Sequence, residues 1–526
     1  MDYPNFSPKT FKNQTVFIFL MDEENLLVKE RLKKLEELRQ LKINPYPYHF
    51  DKTHHANDLS HKYANLKPEE HTKDHVSIAG RIMTLRRMGK VTFLHIADGH
   101  GKIQCYFRED ETKEYSHLKL LDMGDFIGVQ GHIFKTKTGE ITIAVTEFLI
   151  LSKAIRPLPE KFHGLKDPEL RYRMRYLDLI MNPDVKETFI KRYHIIKEIR
   201  NFLDDKGFIE VETPALQPIY GGAAARPFTT HHNALNMKLY MRISPEMYLK
   251  RLIIGGYEKV YEICKNFRNE GVDYTHNPEF TMLEFYQAYA DYNDMMDMAE
   301  EMIKKIAKKV NGTLTVEYRG NKIDLSKKWT RMTMKEALKK YADLDVDKYT
   351  DQELFDLVRT YNLEYHGDLT RGGVMTVLFE ELVEEKLIQP HFIMDYPVEV
   401  SPLTKIHRKD SQFTERFELF INGQEWANAY SELTDPLDQR KRLEAQEKLR
   451  VIGEEAQPMD EDFIRAMEYG MPPTGGLGLG VDRLIALLCG KDTIRDIIFF
   501  PTMKPEAGVK EQPIVTRTSG MPGELR

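Results

Sequence analysis

One stretch constrains the fold more than any other: Gly475-Gly476-Leu477-Gly478-Leu479-Gly480-Val481-Asp482-Arg483-Leu484, in which glycine alternates with aliphatic residues. A period of two predicts a strand that buries Leu477, Leu479 and Val481 on one face and leaves its backbone bare on the other. A flat ligand fits against such a bare face, although glycines in a strand also mark tight packing or a bulge. Arg483 falls near the start of a helix continued by Leu484, Ile485, Leu487 and Leu488, where its guanidinium would fork onto a polyphosphate oxygen. No G-x-x-x-x-G-K-[ST] phosphate loop occurs in the chain, so a nucleotide site here is of another kind.

Residues 257–289 read as a long antiparallel hairpin around the polar loop 269–277. On its returning strand Phe280, Met282, Glu284 and Tyr286 share one face, while Thr281, Leu283 and Phe285 point the other way. A ring, a carboxylate and a phenol thus line one surface. For an arbitrary hairpin, a half-solvated strand with incidental charges is the commoner outcome. A third group, Glu418, Glu425 and Glu432, recurs every seven residues in a region whose apolar runs, 417–421 and 426–430, read as strands. Carboxylates so placed suit Mg²⁺, which takes one or two of them plus phosphate and water; surface acids are the alternative.

At 526 residues the chain exceeds a single ordinary core, and its 41% hydrophobic and 30% charged content is that of a globular protein, neither fibre nor membrane protein. Residues 76–150 read as five short strands, 76–83, 91–97, 103–107, 126–134 and 141–149, with turns at Asp98-Gly99 and Thr138-Gly139 and helical potential between the third and fourth. That pattern suits an OB barrel, whose strand 2 to 3 face binds oligonucleotides, or another small barrel. The formal net charge is −6, but between Lys73 and Asp110 seven bases face four acids, a local basic surplus on this module.

Ahead of the barrel, Leu26, Leu27, Leu32, Leu35, Leu38 and Leu41 recur at helical spacing over 25–41. After it, Asn182 is placed to cap a helix with Pro183 at its first position, continued by Val185, Phe189, Tyr193, Ile196, Ile199 and Leu203. Gly207 suits the residue past that helix, and 208–212 reads as a strand closed by Pro214. The expected divisions are an extension and helix (1–70), the barrel (71–152), a linker (153–180), an α+β domain (181–504, with a mostly helical elaboration at 299–390) and a polar tail (505–526). Three scattered cysteines, Cys105, Cys264 and Cys489, give neither a disulfide framework nor a zinc motif and fit a reducing compartment. The apolar run after Lys9 and Lys12 is short for a secretory signal and reads as a cytosolic extension; Met21 is an alternative start.

Taken together, three segments resemble, in order, the three motifs of the class II aminoacyl-tRNA synthetases: Gly207-Phe208-Ile209-Glu210-Val211-Glu212-Thr213-Pro214; Asn266-Phe267-Arg268-Asn269-Glu270-Gly271 with His276-Asn277-Pro278-Glu279-Phe280-Thr281; and Gly478-Leu479-Gly480-Val481-Asp482-Arg483. With an OB barrel ahead, the resemblance is to the aspartyl, asparaginyl and lysyl subgroup. Residues 221–228, Arg242-Ile243-Ser244-Pro245-Glu246 and Asn428-Ala429-Tyr430-Ser431-Glu432-Leu433 look lysyl-specific.

The resemblance implies an antiparallel catalytic sheet flanked by helices and an ATP-dependent, cytoplasmic ligase that adenylates lysine and charges tRNA(Lys), with Mg²⁺, as a homodimer formed through the helix and strand ending at Pro214. It implies that Arg268 and Arg483 are catalytic and bind ATP with Glu270, His276, Asn277, Phe280 and Glu418. Glu418 and Glu425 would carry the metal. Lysine would meet Gly222, Glu246, Arg268, Glu284, Tyr286, Asn428, Tyr430 and Glu432, and the anticodon Arg81, Phe93, Gln104 and Glu147. Trp426 and Thr434 depart from the family pattern beside the lysine pocket. Three rivals stand: an aspartyl or asparaginyl enzyme, the lysyl paralogue that modifies elongation factor P, and a non-catalytic scaffold.

Overall fold

The computed structural model describes residues 26–159, 166–365, 369–451 and 456–505; the readings made for residues 1–20 and for the tail beyond 505 lie outside them. The chain divides into two compact units, Met1–Gly164 and Leu165–Arg526.

In the first unit, β1 (His71–Met88), β2 (Val91–Ala97), β3 (Lys102–Arg108), β4 (Phe126–Lys135) and β5 (Ile141–Ser152) close a barrel in the order β1-β2-β3-β5-β4, with β3 and β5 parallel. Strict alternation turns Leu94, Ile96, Ile103, Cys105 and Phe107 inward against Ile78, Ile127, Val129, Ile133 and Ile143. The helical potential before β4 yields only a 3₁₀ turn, Tyr115–Leu120.

The helix Leu26–Gln40 forms as its periodicity predicts, but its buried stripe is Val28, Arg31, Leu35 and Leu38, whereas Leu26, Leu27 and Leu41 are exposed. Arg31 is buried because its guanidinium donates to the carbonyls of Met123, Ala154 and Arg156. That satisfies backbone acceptors no leucine could reach.

In the second unit, the helices Pro168–Arg173 and Arg175–Met181 already belong to the packed body. Fully buried Arg175 pairs with Asp178 (2.5 Å) and donates to the carbonyls of Arg495 and Phe499. The stretch read as linker is therefore structured from Pro168 onward.

The helix Pro183–Asp205 follows, but Asn182 does not cap it: its amide donates to Asp178 Oδ1 at 2.7 Å instead. Tyr193, expected on its apolar face, is exposed, and Ile195 and Phe202 take the buried places. Gly207, at φ +79°, reverses the chain into β6 (Ile209–Glu210), two residues where five were expected.

The remaining strands are β7 (Leu216–Gln217), β8 (Thr229–His232), β9 (Met237–Met241), β10 (Lys259–Phe267), β11 (Glu279–Ala288), β12 (Thr315–Tyr318), β13 (Asn321–Asp324), β14 (Thr330–Thr333), β15 (His391–Pro397), β16 (Phe413–Phe420), β17 (Glu425–Ser431) and β18 (Thr474–Gly480). Eight of the strands build one sheet, β14-β15-β16-β17-β18-β11-β10-β6; its inner six are antiparallel, and β14 and β6 join the edges in parallel.

One face of this sheet is the core. Leu477 and Leu479 of β18, Leu283 and Phe285 of β11, and Phe417 and Leu419 of β16 pack there against the helices Pro183–Asp205, Tyr292–Asn311 and Val481–Cys489. The helix Tyr292–Asn311, partly assigned to the elaboration, puts Ala299, Met302, Ile303 and Ile306 into this main core. The elaboration proper is a second core built by the helices Met334–Ala342, Asp351–Thr360 and Arg371–Leu382. Among the described residues no helix is long and apolar enough to cross a membrane.

Candidate active site

The other face of the sheet floors a cavity of about 940 Å³. Glycine makes that possible. A Cβ at Gly476 would lie 2.2 Å from Glu432 Oε1 and 2.3 Å from the Tyr286 ring, and one at Gly478 2.6 Å from the Met282 methyl. Those side chains lie over β18 because it has none of its own there. Asp482, at the start of the helix Val481–Cys489, accepts from the Thr281 amide (2.7 Å) and from Arg192 (2.6 Å), fixing that helix to β11.

At one end of the cavity, Arg268 leaves β10 with its guanidinium 5.1 Å from the Phe280 ring centroid, and its Nε is buried without an acceptor. A buried cationic donor lacking a partner calls for an anion. Arg483 projects from the start of its helix beside Glu425 and His276, 3.4 Å from His276 Nε2. His276 is oriented by Asp273 (2.9 Å). Glu270 lines the cavity as well. Asn277 is engaged by the loop itself: its amide donates to the Glu279 carbonyl and its oxygen accepts from the Thr502 amide.

Glu418 on β16 is bonded by Tyr396 (2.9 Å) and by Arg416, yet burial pushes its carboxyl up to about 7, with Glu425 adding repulsion. Glu384 is likewise raised to about 7 by burial and by Glu418. Among the described residues no group of three or more acidic, histidine or cysteine side chains is arranged to hold a metal. A two-carboxylate site short of positive charge fits Mg²⁺ arriving with phosphates rather than a cation held by protein alone.

At the other end three carboxylates are buried: Glu246, first residue of the helix Glu246–Ile254, Glu284 of β11 and Glu432 just past β17. Burial pushes Glu284 and Glu432 each up to about 8. Glu284 accepts from Ser244 (2.8 Å) and Tyr286 (3.1 Å). Glu432 Oε1 has no hydrogen-bond partner. Gly222, at φ +86°, donates its N–H to Gln457 (3.0 Å), and a Cβ there would meet Ser244 Oγ at 2.6 Å. Tyr430 lines the same wall, and Asn428 Oδ1 accepts from Arg416 (3.2 Å).

The expected ATP, lysine and metal residues thus line one cavity, except Glu432, whose Oε1 lies directly over Gly476 of the cavity floor. Sequence reading missed Lys250, Arg416, Ser244 and Gln457. Trp426 is among the residues lining the cavity, but it is 1% exposed, and its indole donates to the Ile421 carbonyl (2.7 Å) and packs on Tyr318 in the core. Thr434 accepts a hydrogen bond from Lys405 (3.1 Å).

The barrel brings together only part of its expected set. Phe93 of β2 packs on Tyr106 of β3, ring centroids 4.8 Å apart, and Gln104 lies on the same face, donating to Glu140 (2.8 Å). Arg81 does not join them: it stands opposite Phe126 of β4 and Ala97 at the far end of β2, donating to the Gly124 carbonyl (2.9 Å) over the Phe126 ring. Glu147 sits on β5 opposite Gln130, beside Lys113. The base that does stand across from Phe93 is exposed Arg86. Counting back from the turn at Gly89 would have found it.

Residues 167–504 match the family described as tRNA synthetases class II (D, K and N), and residues 76–151 match the OB-fold nucleic acid binding domain. The chain is 54% identical to the lysine–tRNA ligase of Clostridium novyi (strain NT) over 494 residues, covering 92% of this chain and 95% of that protein. It is equally 54% identical to that of Carboxydothermus hydrogenoformans, covering 92% and 99%. With Clostridium botulinum (strain Langeland) the identity is 52%, covering 94% and 99%. The chain therefore belongs to the class II tRNA synthetases of the D, K and N group, and within it to the lysine–tRNA ligases.

Proposed function

We propose that this chain activates L-lysine with ATP, forming lysyl-adenylate and pyrophosphate, and transfers the lysine to the 3′-terminal adenosine of tRNA(Lys). The observation that carries the reading is the buried Glu432 carboxylate, with one oxygen unpartnered over Gly476, a residue of the bare strand that lines the same cavity as Arg268. An ε-ammonium supplies the missing partner. An aspartyl or asparaginyl enzyme would need a cation or donor free at that place, and the buried cation there, Lys250, is already held by two glutamates. The barrel speaks against the elongation-factor-modifying paralogue, and the retained Arg268, Arg483 and glutamates speak against a scaffold.

In this reading the lysine carboxylate attacks the α-phosphorus in line. It is already a nucleophile, so no general base is required. Arg268 holds the α-phosphate and the carboxylate, Phe280 stacks on adenine, and Arg483 draws charge from the departing pyrophosphate. Glu418 and Glu425 would hold Mg²⁺, which when bound neutralises phosphate charge. Exposed Ile190, Tyr193, Ile209 and Leu216 support a homodimer through the helix Pro183–Asp205 and β6, and three free cysteines suit a cytoplasmic setting.

The test is ATP–pyrophosphate exchange with each standard amino acid in turn. Exchange with lysine alone is expected; exchange with aspartate or asparagine instead would overturn the pocket assignment. Because Glu284 and Glu432 hold protons up to about 8 and must ionise to receive a cation, KM for lysine is expected to fall as pH rises from about 6 to 8, about tenfold per unit for each proton released. A raised carboxyl contributes stability that is full below its unfolded value and lost as pH rises through its folded one, so lysine should also raise Tm most near pH 8. On the barrel, Phe93→Ala is expected to weaken tRNA binding by about 1 to 3 kcal/mol, read by filter binding, with exchange unchanged.

A further inference from the structure

Behind the wall of the lysine pocket lies a buried cation. Lys250, in the helix Glu246–Ile254, is fully buried, and its Nζ lies 2.5 Å from Glu246 Oε1 and 2.5 Å from Glu432 Oε2. Burial alone would lower its pKa, but the two carboxylates outweigh burial and raise it, so it is an ammonium. It therefore binds the wall of the pocket to the residue that would select the substrate side chain.

The charges give the arrangement a meaning. Glu246, Glu284 and Glu432 together carry three negative charges when ionised, and all three are buried. The phenols Tyr286 and Tyr430 that face them are held neutral, their pKa values raised well above the ordinary phenol by burial and then by the neighbouring glutamates. Arg268 acts on the Glu284 side and is the group placed to meet a substrate carboxylate. Lys250 alone offsets one of the three negative charges on the glutamate side, leaving two. Free lysine brings two ammonium groups.

We infer that Lys250 is a specificity-determining positioning residue: it clamps Glu246 to Glu432, leaves Glu432 Oε1 to the substrate, and reduces the buried charge from three to two, the number of ammonium groups on lysine. This rests on the reading of the cavity as a lysine site. Without Lys250 three carboxylates would face two ammoniums, and Glu432, no longer held down by that cation, would keep its proton to a higher pH and could not receive the ε-ammonium until it lost it. An amino acid with one ammonium leaves the resident pocket unbalanced in the same way.

The test is the pH dependence of KM for lysine and for ATP in pyrophosphate exchange, comparing the unaltered protein with Lys250→Met. At about pH 7 the variant's KM for lysine is expected to be about 100-fold higher, the ratio narrowing by about tenfold per unit as pH rises toward 9, with KM for ATP within about threefold. A ratio that is flat with pH, or an equal rise for ATP, would show packing alone and overturn the inference. Should Lys250→Met not fold, Lys250→Gln offers N–H donors without the charge and is read the same way.

The unaltered protein gives an independent reading. In calorimetry with two buffers of different ionisation heat at about pH 9, the neutral isostere 6-hydroxynorleucine is expected to bind with uptake of about one proton more than lysine, the uptake at the α-amino group being common to both. Equal uptake for both would overturn the charge count. Absence of lysine-dependent exchange in the unaltered chain would sink the lysine assignment itself, whereas a pH-flat ratio would sink only the role of Lys250.

Discussion

Replacing Glu432 by glutamine is expected to raise KM for lysine by some hundreds- to thousands-fold while leaving KM for ATP within a few-fold. The carboxylate is 1% exposed, and its free oxygen has nothing but the substrate to pair with. Removing one member of a buried ion pair costs about 3 to 5 kcal/mol, because the other charge remains desolvated. Two charges are left behind here, the substrate ammonium and Lys250, which keeps only Glu246. The glutamine is close to isosteric, so thermal unfolding should change far less than exchange does. A KM for lysine within tenfold of the unaltered value would place the ε-ammonium elsewhere.

Gly476→Ala is expected to reduce kcat/KM for lysine by at least about 100-fold, the cost of moving two groups whose placement selects the substrate. The added Cβ would stand 2.2 Å from Glu432 Oε1 and 2.3 Å from Tyr286 Cε1, distances at which something must shift. Neither neighbour has room: Tyr286 is 3% exposed between β10 and β18, and Glu432 is tied to Lys250. Overpacking of this kind costs about 1 to 3 kcal/mol of stability, so the melting temperature should drop as well. Gly480→Ala is the comparison, since its Cβ would make only an ordinary contact at 3.6 Å with Arg483. A much smaller loss is expected there, and equal losses at both positions would contradict the steric account.

What the sequence made legible was whatever depended on local period and on motif chemistry. The glycine alternation foretold a strand with a core face and a bare face, and the parity of 280–286 placed Glu284 and Tyr286 in the cavity. The anticodon set, carried over by resemblance alone, came together only in part. Arg81 stands opposite Phe126 of β4, far along the strand from Phe93, and Glu147 lies on β5 where the pairing with β4 shifts at Gln130/Gly131.

Lys250 was invisible for a different reason. A glutamate and a lysine four apart on a helix ordinarily form an exposed pair worth a few tenths of a kcal/mol. Here Glu432, 182 positions further along, takes the lysine's other side, and only the folded sheet brings it there. Arg31 and Arg175 were equally illegible, since a guanidinium that satisfies distant carbonyls has no local signature.

The two-faced sheet has a consequence for how such a chain can change over time. In β11 and β18 successive residues alternate between core and cavity, so an inserted or deleted residue would send every later aliphatic into the substrate space and every ligand into the core. Changes of length are therefore confined to the connections, as between Phe267 and Glu279, while within the strands only substitutions at every second position can alter what is bound. The reading frame of the pocket and that of the core are one frame, and a new specificity must be reached without ever losing count.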